Sequence, residues 1–258
     1  MITTAKFRPT IQTVMVNGMQ VVYATIGSGK PLVIVHGLAG SGRWWTPNIP
    51  ELSRHFQLYL IDLPGFGLMR RQRKHFSLPA MGEWLDAWTQ AVGLKTFALL
   101  GHSMGGYVCM SLAARAPERV TRLILLDSIG IPFGRTARQL IPSTLISMLH
   151  TTPAFWPILF YDSNIRAGLS MVMRAAHQIV ALDADPVIAA VKTPTLLIWG
   201  DNDELVPLDF GYRLREKLAS VQARMLVLKK ANHIAMYDQP QQFNAGVLAF
   251  LAGQAVGD

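Results

Sequence analysis

The sequence predicts an α/β protein with a mostly parallel central sheet, an antiparallel N-terminal hairpin and helices on both faces. Short runs that are apolar throughout predict the strands, because a strand buried on both faces shows no polar alternation. Helix-compatible stretches separate most of these runs, and such alternation is typical of a parallel sheet surrounded by helices. The apolar runs cover residues 31–35, 57–61, 97–100, 122–126, 195–199 and 225–228.

The N-terminal part of the sequence predicts a pair of antiparallel strands. In the stretch TVMVNGMQVVYAT, the pair Asn17-Gly18 separates two strand-like runs. Asn-Gly between such runs is the strongest short-range indication of a tight antiparallel hairpin. Helices are expected in the stretches 78–93, 104–117, 207–220 and 239–253.

One long interval departs from this alternation. From Ile129 to Lys192 no run predicts a strand, and the segment consists of helical pieces rich in Leu, Met, Phe and Trp that are interrupted by prolines. It is too long to be a connecting loop in a compact domain. We therefore predict a helical cap at residues 129–192, inserted into a core formed by residues 1–128 and 193–258.

Length and composition agree with one large domain that has an insertion. The chain has 258 residues, of which 50% are hydrophobic, enough for a sizeable core. The first residues lack the apolar core of a secretory signal, and no apolar run approaches the roughly 18 to 20 residues of a membrane helix. A cytoplasmic protein without a membrane span is expected. The single cysteine, Cys109, excludes an internal disulfide and a multi-cysteine metal site, and its apolar surroundings predict burial.

The formal net charge is +8, and half of it is local. Arg70, Arg71, Arg73 and Lys74 lie close together without a compensating acid. A basic chain could bind nucleic acid or an acidic membrane. No zinc-ligand spacing, Walker loop or RNA-binding signature accompanies these cations, so the segment is interpreted as a solvated surface loop, and no nucleic-acid partner is predicted.

Residues that can carry chemistry follow the predicted strands, and functional groups of parallel sheets gather at the carboxyl ends of their strands. The stretch GHSMGG, residues 101–106, comes directly after an apolar run and opens a helical pattern. Glycine at both Gly101 and Gly105 indicates a turn too tight for a side chain. The pattern matches the G-x-S-x-G nucleophile elbow in the strand-to-helix context that this elbow requires. Ser103 is thus a candidate nucleophile.

In these motifs the chain resembles the α/β-hydrolase superfamily, and within it the serine-nucleophile, esterase- and lipase-like members that have a helical cap. The similarity extends from the HG pair at residue 36 to His233, nearly the whole chain. The resemblance implies that Ser103 is the nucleophile, Asp203 the acid and His233 the base, in the chain order typical of the family. It implies oxyanion-binding backbone N–H groups at Leu38 and Met104, the latter at a helix start that favours an anion. Neither a metal nor a cofactor is implied.

Other acids compete for the role of Asp203. Asp201 follows the same apolar run, but Asp203 fits the spacing of the family better. Asp127 is a rival because some family members take the acid from the end of the preceding strand. Asp62, in DLPGFG, is interpreted as a structural residue that holds a tight turn.

Two histidines next to the motifs have a different interpretation. His36 and His102 belong to the HG loop and to the elbow, so positioning is favoured for them over acid–base chemistry. His102 also departs from the superfamily's carbon–carbon bond hydrolases, which typically have Asn before the nucleophile. Serine at position 103 argues against dehalogenases and epoxide hydrolases of this fold, since those attack with an aspartate.

The inserted segment has more apolar bulk than a thin insertion needs for its own packing, so part of it is expected to face the nucleophile. Ligand sites are commonly apolar clefts with a few polar groups. The residues predicted to line a substrate pocket are His102, Phe133, Met148, Trp156, Met171 and Val206. The cap cations Arg135, Arg138, Arg166 and Arg174 are partly offset by nearby acids, so no carboxylate clamp is expected.

The predicted function is hydrolysis of neutral, largely apolar carboxylic esters of short to medium chain length, with a small-molecule ester as partner. A lactonase, thioesterase, acyltransferase, perhydrolase or carbon–carbon bond hydrolase would use the same residues, because fold and triad do not specify the substrate. A ligand receptor of this fold that turns its ligand over slowly is a further alternative. The oligomeric state stays open.

Overall fold

The computed structural model describes residues 8–134, 136, 139, 146–147 and 149–258 of the chain. Its strands form one eight-stranded sheet. They are β1 (Thr10–Val16), β2 (Met19–Ile26), β3 (Lys30–Val35), β4 (Phe56–Ile61), β5 (Phe97–His102), β6 (Val120–Leu126), β7 (Thr195–Gly200) and β8 (Arg224–Leu228). The strand order is β1-β2-β4-β3-β5-β6-β7-β8. β1 with β2 and β2 with β4 pair antiparallel, and the other neighbours pair parallel.

The N-terminal hairpin is the one that Asn17-Gly18 predicts. Both residues have positive φ, 48° and 77°, which is the conformation of a two-residue type I′ turn. Val16 then pairs with Met19, and the register continues without a shift to Thr10 and Thr25. This confirms the predicted antiparallel start of an otherwise mostly parallel sheet.

Helices surround the sheet. The α-helices are α1 (Ile49–Leu52), α2 (Met81–Ala91), α3 (Met104–Arg115), α4 (Trp156–Phe160), α5 (Leu169–Val180), α6 (Asp185–Ala190), α7 (Leu208–Lys217), α8 (Ala235–Asp238) and α9 (Pro240–Leu251). Short 3₁₀ helices span Gly42–Trp45, Gly67–His75, Leu78–Ala80, Pro153–Phe155 and Ala219–Val221, and a π-helix spans Tyr161–Ala167. Helices α2, α3, α6 and α7 cover one face of the sheet, and α1, α8 and α9 cover the other.

Alternate residues of the central strands fill two hydrophobic cores, which explains why these strands read as continuous apolar runs. In β3, Val33 and Val35 pack into the core beneath α2 and α3, whereas Leu32 and Ile34 pack into the core beneath α1 and α9. The same division recurs in β5, β6 and β7. Each face buries its own set of side chains, so a one-residue shift in register would exchange the two sets.

The segment between β6 and β7 contains helices and no strand among its described residues. Helix α6, which lies at the C-terminal end of this segment, packs against α3. Division of the chain into a core and a cap at residues 129 and 192 stays a prediction. Across the described part of the chain, no helix is long and apolar enough to span a membrane.

The basic segment, defined as Arg70, Arg71, Arg73 and Lys74, lies in 3₁₀-helical turns over Gly67–His75 that are kinked at Gln72, where a surface loop was expected. Asp62 accounts for this ordering, because its Oδ2 accepts a hydrogen bond of 2.7 Å from the Leu68 N–H at the start of that helix. Its Oδ1 accepts one of 2.7 Å from the Gly42 N–H. Asp62 therefore joins two loops, while most of the cations point to solvent.

Candidate active site

The turn between β5 and α3 exposes Ser103 in a strained backbone conformation. Ser103 has φ 51° and ψ −116°, values that residues other than glycine rarely adopt. A Cβ on Gly101 would overlap the Gly105 carbonyl oxygen, and one on Gly105 would lie 2.5 Å from the His36 carbonyl oxygen. The two glycines thus let α3 begin directly against β5 and β3, with the serine at the tip of the turn.

Three side chains from three strand ends meet at this turn. The His233 ring lies with its Nε2 3.1 Å from Ser103 Oγ. Its Nδ1 lies 2.7 Å from Asp203 Oδ2. Because an ionised carboxylate only accepts hydrogen bonds, Nδ1 carries the proton and donates it to Asp203, which leaves Nε2 as acceptor for the serine hydroxyl. This is the geometry in which a serine can lose its proton to an imidazole.

The Asp203 carboxylate is held by backbone groups as well as by His233. Its Oδ1 accepts hydrogen bonds of 2.9 Å from the N–H groups of Leu205 and Val206. The side chain is fully buried, so these contacts fix the direction in which Oδ2 points. Asp201 has another role, since its carboxylate accepts from the Ala231 N–H at 3.3 Å and lies 3.9 Å from Lys229 Nζ.

Asp127, the rival acid after β6, faces the backbone around the site and not the imidazole. Its Oδ1 accepts a hydrogen bond of 2.8 Å from the Gly200 N–H, and its Oδ2 lies 3.5 Å from the Ala235 nitrogen. Burial, and then the nearby charge of Asp203, raise the pKa of Asp127 well above its usual range. Asp127 therefore braces the end of β7 and the start of α8, the two elements between which Asp203 and His233 lie.

The two candidate oxyanion donors belong to the helix that begins after Ser103 and to the loop after β3. Met104 is the first residue of α3, so its N–H has no acceptor within the helix. Leu38 belongs to the loop after β3, which His36 organises: Nδ1 donates to the Gly37 carbonyl at 2.7 Å and Nε2 accepts from the Leu63 N–H at 3.0 Å. A Cβ on Gly37 would lie 3.1 Å from Ser103 Cβ, so glycine lets the loop approach the serine.

His102 connects the elbow to the loop that carries His233. Its Nε2 lies 2.7 Å from the His233 carbonyl oxygen, so Nε2 carries a proton and donates it. Burial, followed by the neighbouring His233 ring, holds the pKa of His102 well below its usual range, and the ring stays neutral. Its buried Nδ1 has no hydrogen-bond partner among the described residues. The neutral His102 ring therefore connects the two segments through one hydrogen bond, from its Nε2 to the His233 carbonyl oxygen.

The residues predicted for the substrate pocket have different surroundings. Phe133 packs against Phe210, with 5.6 Å between ring centroids. Val206 and Met171 are buried in the core beneath α2 and α3, and Trp156 is exposed on α4. Met148, like the predicted cap cations Arg135 and Arg138, lies outside the described residues. The role of these residues in a pocket stays a prediction.

A cavity of about 440 Å³ lies between the N-terminal hairpin and the inserted segment. Ser41, Asp62, Asp162 and Arg166 are among its lining residues. It includes neither the Ser103–His233 pair nor any of the described residues predicted for the substrate pocket.

A buried polar contact that the sequence does not suggest attaches the inserted segment to the core. Asp162, on the π-helix, accepts a hydrogen bond of 2.6 Å from Ser41 Oγ and one of 3.1 Å from Trp44 Nε1. Trp44 in turn packs near His102, with 5.8 Å between ring centroids. Asp162 lies 121 residues after Ser41 and 118 after Trp44, and no local motif links it to them, so only the fold reveals the contact.

Cys109 is fully buried in α3, and burial raises the pKa of its thiol. Within the described ranges, no group of three or more His, Cys, Asp and Glu side chains could hold a metal ion.

The comparisons with known proteins agree with this architecture. A protein of Caulobacter sp. (strain K31) with the provisional name carbamate hydrolase RutD is 28% identical over 249 residues, which cover 88% of this chain and 92% of that protein. The 2-hydroxy-6-oxo-2,4-heptadienoate hydrolase of Pseudomonas putida F1 is 26% identical over 273 residues, which cover 93% of this chain and 96% of that protein. A solved structure of a membrane phospholipase A superposes with a TM-score of 0.82 at 22% identity, and the match covers 95% of this chain and 86% of that one.

The family itself follows from a match over more than half of the sequence. Residues 30–163 match the family model described as the alpha/beta hydrolase fold. This region includes the loop after β3, the elbow at Ser103 and the start of the inserted segment. Together with the sheet order and the site geometry, the match identifies the chain as a member of the alpha/beta hydrolase fold family.

Proposed function

We propose that this hydrolase cleaves neutral carboxylic esters through an acyl-enzyme formed on Ser103. One observation carries the proposal: Ser103 Oγ, the His233 ring and the Asp203 carboxylate form a continuous hydrogen-bonded series with contacts of 3.1 Å and 2.7 Å. A serine hydroxyl is a poor nucleophile until a base accepts its proton. The series supplies that base and orients it.

Acylation follows from these contacts. Ser103 Oγ attacks the ester carbonyl carbon while His233 Nε2 accepts the hydroxyl proton, and Asp203 stabilises the imidazolium that forms. Negative charge develops on the carbonyl oxygen, where N–H groups of Met104 and Leu38 act as donors, each worth about 3 to 4 kcal/mol. His233 then protonates the leaving alkoxide as the carbon–oxygen bond breaks. Water activated by the same imidazole releases the acid and restores Ser103.

His102 acts in this scheme as a positioning residue through the carbonyl of His233. Leucine at position 102 removes the donor, whereas glutamine retains an N–H near the position of Nε2. We expect His102→Leu to lower kcat by about tenfold to hundredfold with little change in KM, because small displacements of a catalytic group are costly. His102→Gln is expected to restore most of kcat. Steady-state kinetics on one soluble ester checks both variants, and a leucine variant with unchanged kcat would contradict the role.

Neutral substrates are favoured by the charges of the inserted segment. Arg174 donates to the carbonyl oxygens of Arg73 and Phe76 at 3.1 Å and 2.8 Å. Arg166 donates to the Gly67 carbonyl at 3.4 Å. These two arginines are thus engaged with backbone groups and do not form a clamp for a substrate carboxylate. Esters and carbamates both offer a carbonyl that this chemistry can attack, and one relative is named for a carbamate.

Carbon–carbon bond hydrolysis is the second candidate. Two of the relatives are named as hydrolases of 2-hydroxy-6-oxo dienoates, at 26% identity over most of the chain. Dienoates are anions, and a site for them would need a cation that faces the substrate. The engagement of Arg166 and Arg174 supports the ester proposal over this candidate, and His102 before the nucleophile supports it as well.

The deciding experiment is a comparison of substrates. We expect kcat/KM for p-nitrophenyl esters to rise from acetate to an optimum at intermediate chain length, since each added methylene that finds room gains up to about 0.8 kcal/mol. Purified protein is assayed from acetate to palmitate, with a vinylogous diketone dienoate as the matched carbon–carbon substrate. A flat profile would contradict the apolar acyl site, and faster cleavage of the dienoate than of every ester would establish the second candidate instead.

A further inference from the structure

Several large apolar side chains are exposed between α4 and the start of α5, the reverse of what a surface helix normally presents, with Asn164 as an exposed polar residue among them. Helix α4 continues into the π-helix, and Trp156, Phe160, Tyr161 and Ile165 all point outward from this continuous stretch. Phe160 and Ile165 are 63% and 60% exposed, and Leu169 at the start of α5 is 72% exposed. These five residues, from Trp156 to Leu169, are called the apolar face below.

Helical spacing explains part of this arrangement. Trp156 and Phe160 are four residues apart on α4, and Tyr161 and Ile165 are four residues apart on the π-helix, so each pair forms a short row. Leu169 follows the break at Gly168, where φ is 75°, and begins α5. The opposite side of the segment holds the buried residues Asp162 and Ala167. The polar contacts of Asp162 with the core therefore determine which side packs inward, and the apolar rows are left outside. Contiguous exposed apolar surface of this kind marks an interaction site.

Cations border the apolar face at one end. The guanidinium groups of Arg43 and Arg166 lie 5.0 Å and 5.3 Å from the centroid of the Tyr161 ring. The basic segment adjoins this border, because Arg73 Nη2 lies 3.5 Å from the Arg166 carbonyl oxygen. In the sequence, no acidic residue occurs between Leu63 and Gly82, and Asp162 is the single acid between Thr151 and Leu182. That one acid is buried.

We propose that the apolar face and the basic segment together dock this protein on a membrane surface that contains anionic phospholipids. An apolar helical face flanked by Lys and Arg is the pattern of segments that lie in the plane of the bilayer interface. The charge of the border is complementary to acidic headgroups, and Trp and Tyr suit the level of those headgroups. The docking is peripheral, with the apolar side chains at the boundary between headgroups and acyl chains and the cations at the level of the headgroups.

A second copy of the chain fits this surface less well. Symmetric dimers join the same patch on both subunits. Such a contact would bring two sets of Arg43, Arg166 and the basic segment close together without intervening acids. An anionic surface neutralises these cations, so the charge distribution favours the membrane.

Vesicle binding of the full chain tests the proposal. Sedimentation with phosphatidylcholine vesicles, with and without phosphatidylglycerol, measures the partition coefficient at rising salt concentrations. We expect binding to the anionic vesicles alone and a decline with salt. The variant Arg71→Gln/Arg73→Gln/Lys74→Gln is expected to bind at least about tenfold more weakly, since each cation near an anionic surface contributes about fivefold. Phe160→Asn/Ile165→Asn, which leaves the charge unchanged, is expected to lose a similar amount through lost apolar burial.

Matched controls separate this docking from general effects of charge and apolarity. Lys30→Gln/Lys95→Gln/Arg115→Gln removes as many exposed cations from the opposite end of the sheet. Met15→Asn/Tyr212→Asn removes two exposed apolar side chains outside the apolar face. Both controls are expected to bind as the wild type does. Circular dichroism establishes that each variant is folded, so the test is independent of any turnover.

Three results would overturn the proposal. The first is equal binding to neutral and anionic vesicles, or none to either. The second is loss of binding in the basic-segment variant with none in Phe160→Asn/Ile165→Asn, which would mean simple adsorption to anions. The third is a dimer in sedimentation velocity that Phe160→Asn/Ile165→Asn dissociates, which would assign the apolar face to a second copy.

Discussion

Replacing Ser103 with alanine is expected to lower ester turnover by roughly five to six orders of magnitude, as loss of the nucleophile does in other serine hydrolases. The hydroxyl that meets His233 Nε2 disappears, and no acyl-enzyme can form. The fold should survive, because alanine is smaller and the Ser103 backbone N–H still donates to the Leu126 carbonyl at 2.8 Å. Single-turnover kinetics and labelling with a serine-directed fluorophosphonate measure the loss.

Ser128 offers a matched control for this variant. It is also buried beside the elbow, but its Oγ donates to the Ile129 carbonyl at 2.9 Å and does not meet an imidazole. Ser128→Ala is expected to retain labelling and most of the turnover. Normal turnover and continued labelling in Ser103→Ala would mean that another residue is the nucleophile.

Replacing Asp203 with asparagine is expected to lower kcat on the order of 10⁴-fold. An asparagine can present its amide N–H to His233 Nδ1, which favours the tautomer with the proton on Nε2. That tautomer cannot accept the Ser103 proton. The stability of the variant should change less than its activity, because the remaining amide oxygen can still accept from the N–H groups of Leu205 and Val206. Kinetics and thermal denaturation of the same preparation separate the two effects.

A comparison with the variant Asp127→Asn decides whether Asp203 or Asp127 orients the His233 ring. The Asp127 carboxylate faces the backbone nitrogens of Gly200 and Ala235 and not the His233 ring. Asp127→Asn is therefore expected to cost far less kcat than Asp203→Asn. The opposite ranking would transfer the role of the acid to Asp127.

Local signals were sufficient for much of the fold. Asn17-Gly18 specifies the hairpin because few residue pairs tolerate two positive φ angles in succession. The runs around Leu32–Val35 and Leu196–Trp199 specify buried strands because each of their faces meets its own layer of helices. The G-x-S-x-G motif specifies the elbow because side chains at its glycines would collide with the neighbouring backbone.

Other features depend on residues that the sequence does not bring together. Three contacts join distant segments: the hydrogen bond from His102 to the His233 carbonyl, the hydrogen bond that Asp127 accepts at the end of β7, and the contact of Asp162 with Ser41. None of these contacts has a local motif. The helical conformation at the expected surface loop has a local cause instead, because its start is held by Asp62, six residues before Leu68.

The segment between β6 and β7 shows most clearly which features the sequence predicts and which depend on the tertiary structure. Its composition predicted apolar helices, and its described residues include helices α4, α5 and α6. The sequence by itself predicted the strands, the hairpin and the elbow at Ser103 from residues close together in the chain, and its resemblance to the α/β hydrolases added the candidates Asp203 and His233. Only the tertiary structure decided that Phe160 and Ile165 face outward. Periodicity defines an apolar side of a helix, but the buried partners of that helix, here Ser41 and Trp44 with Asp162, determine which side packs against the core.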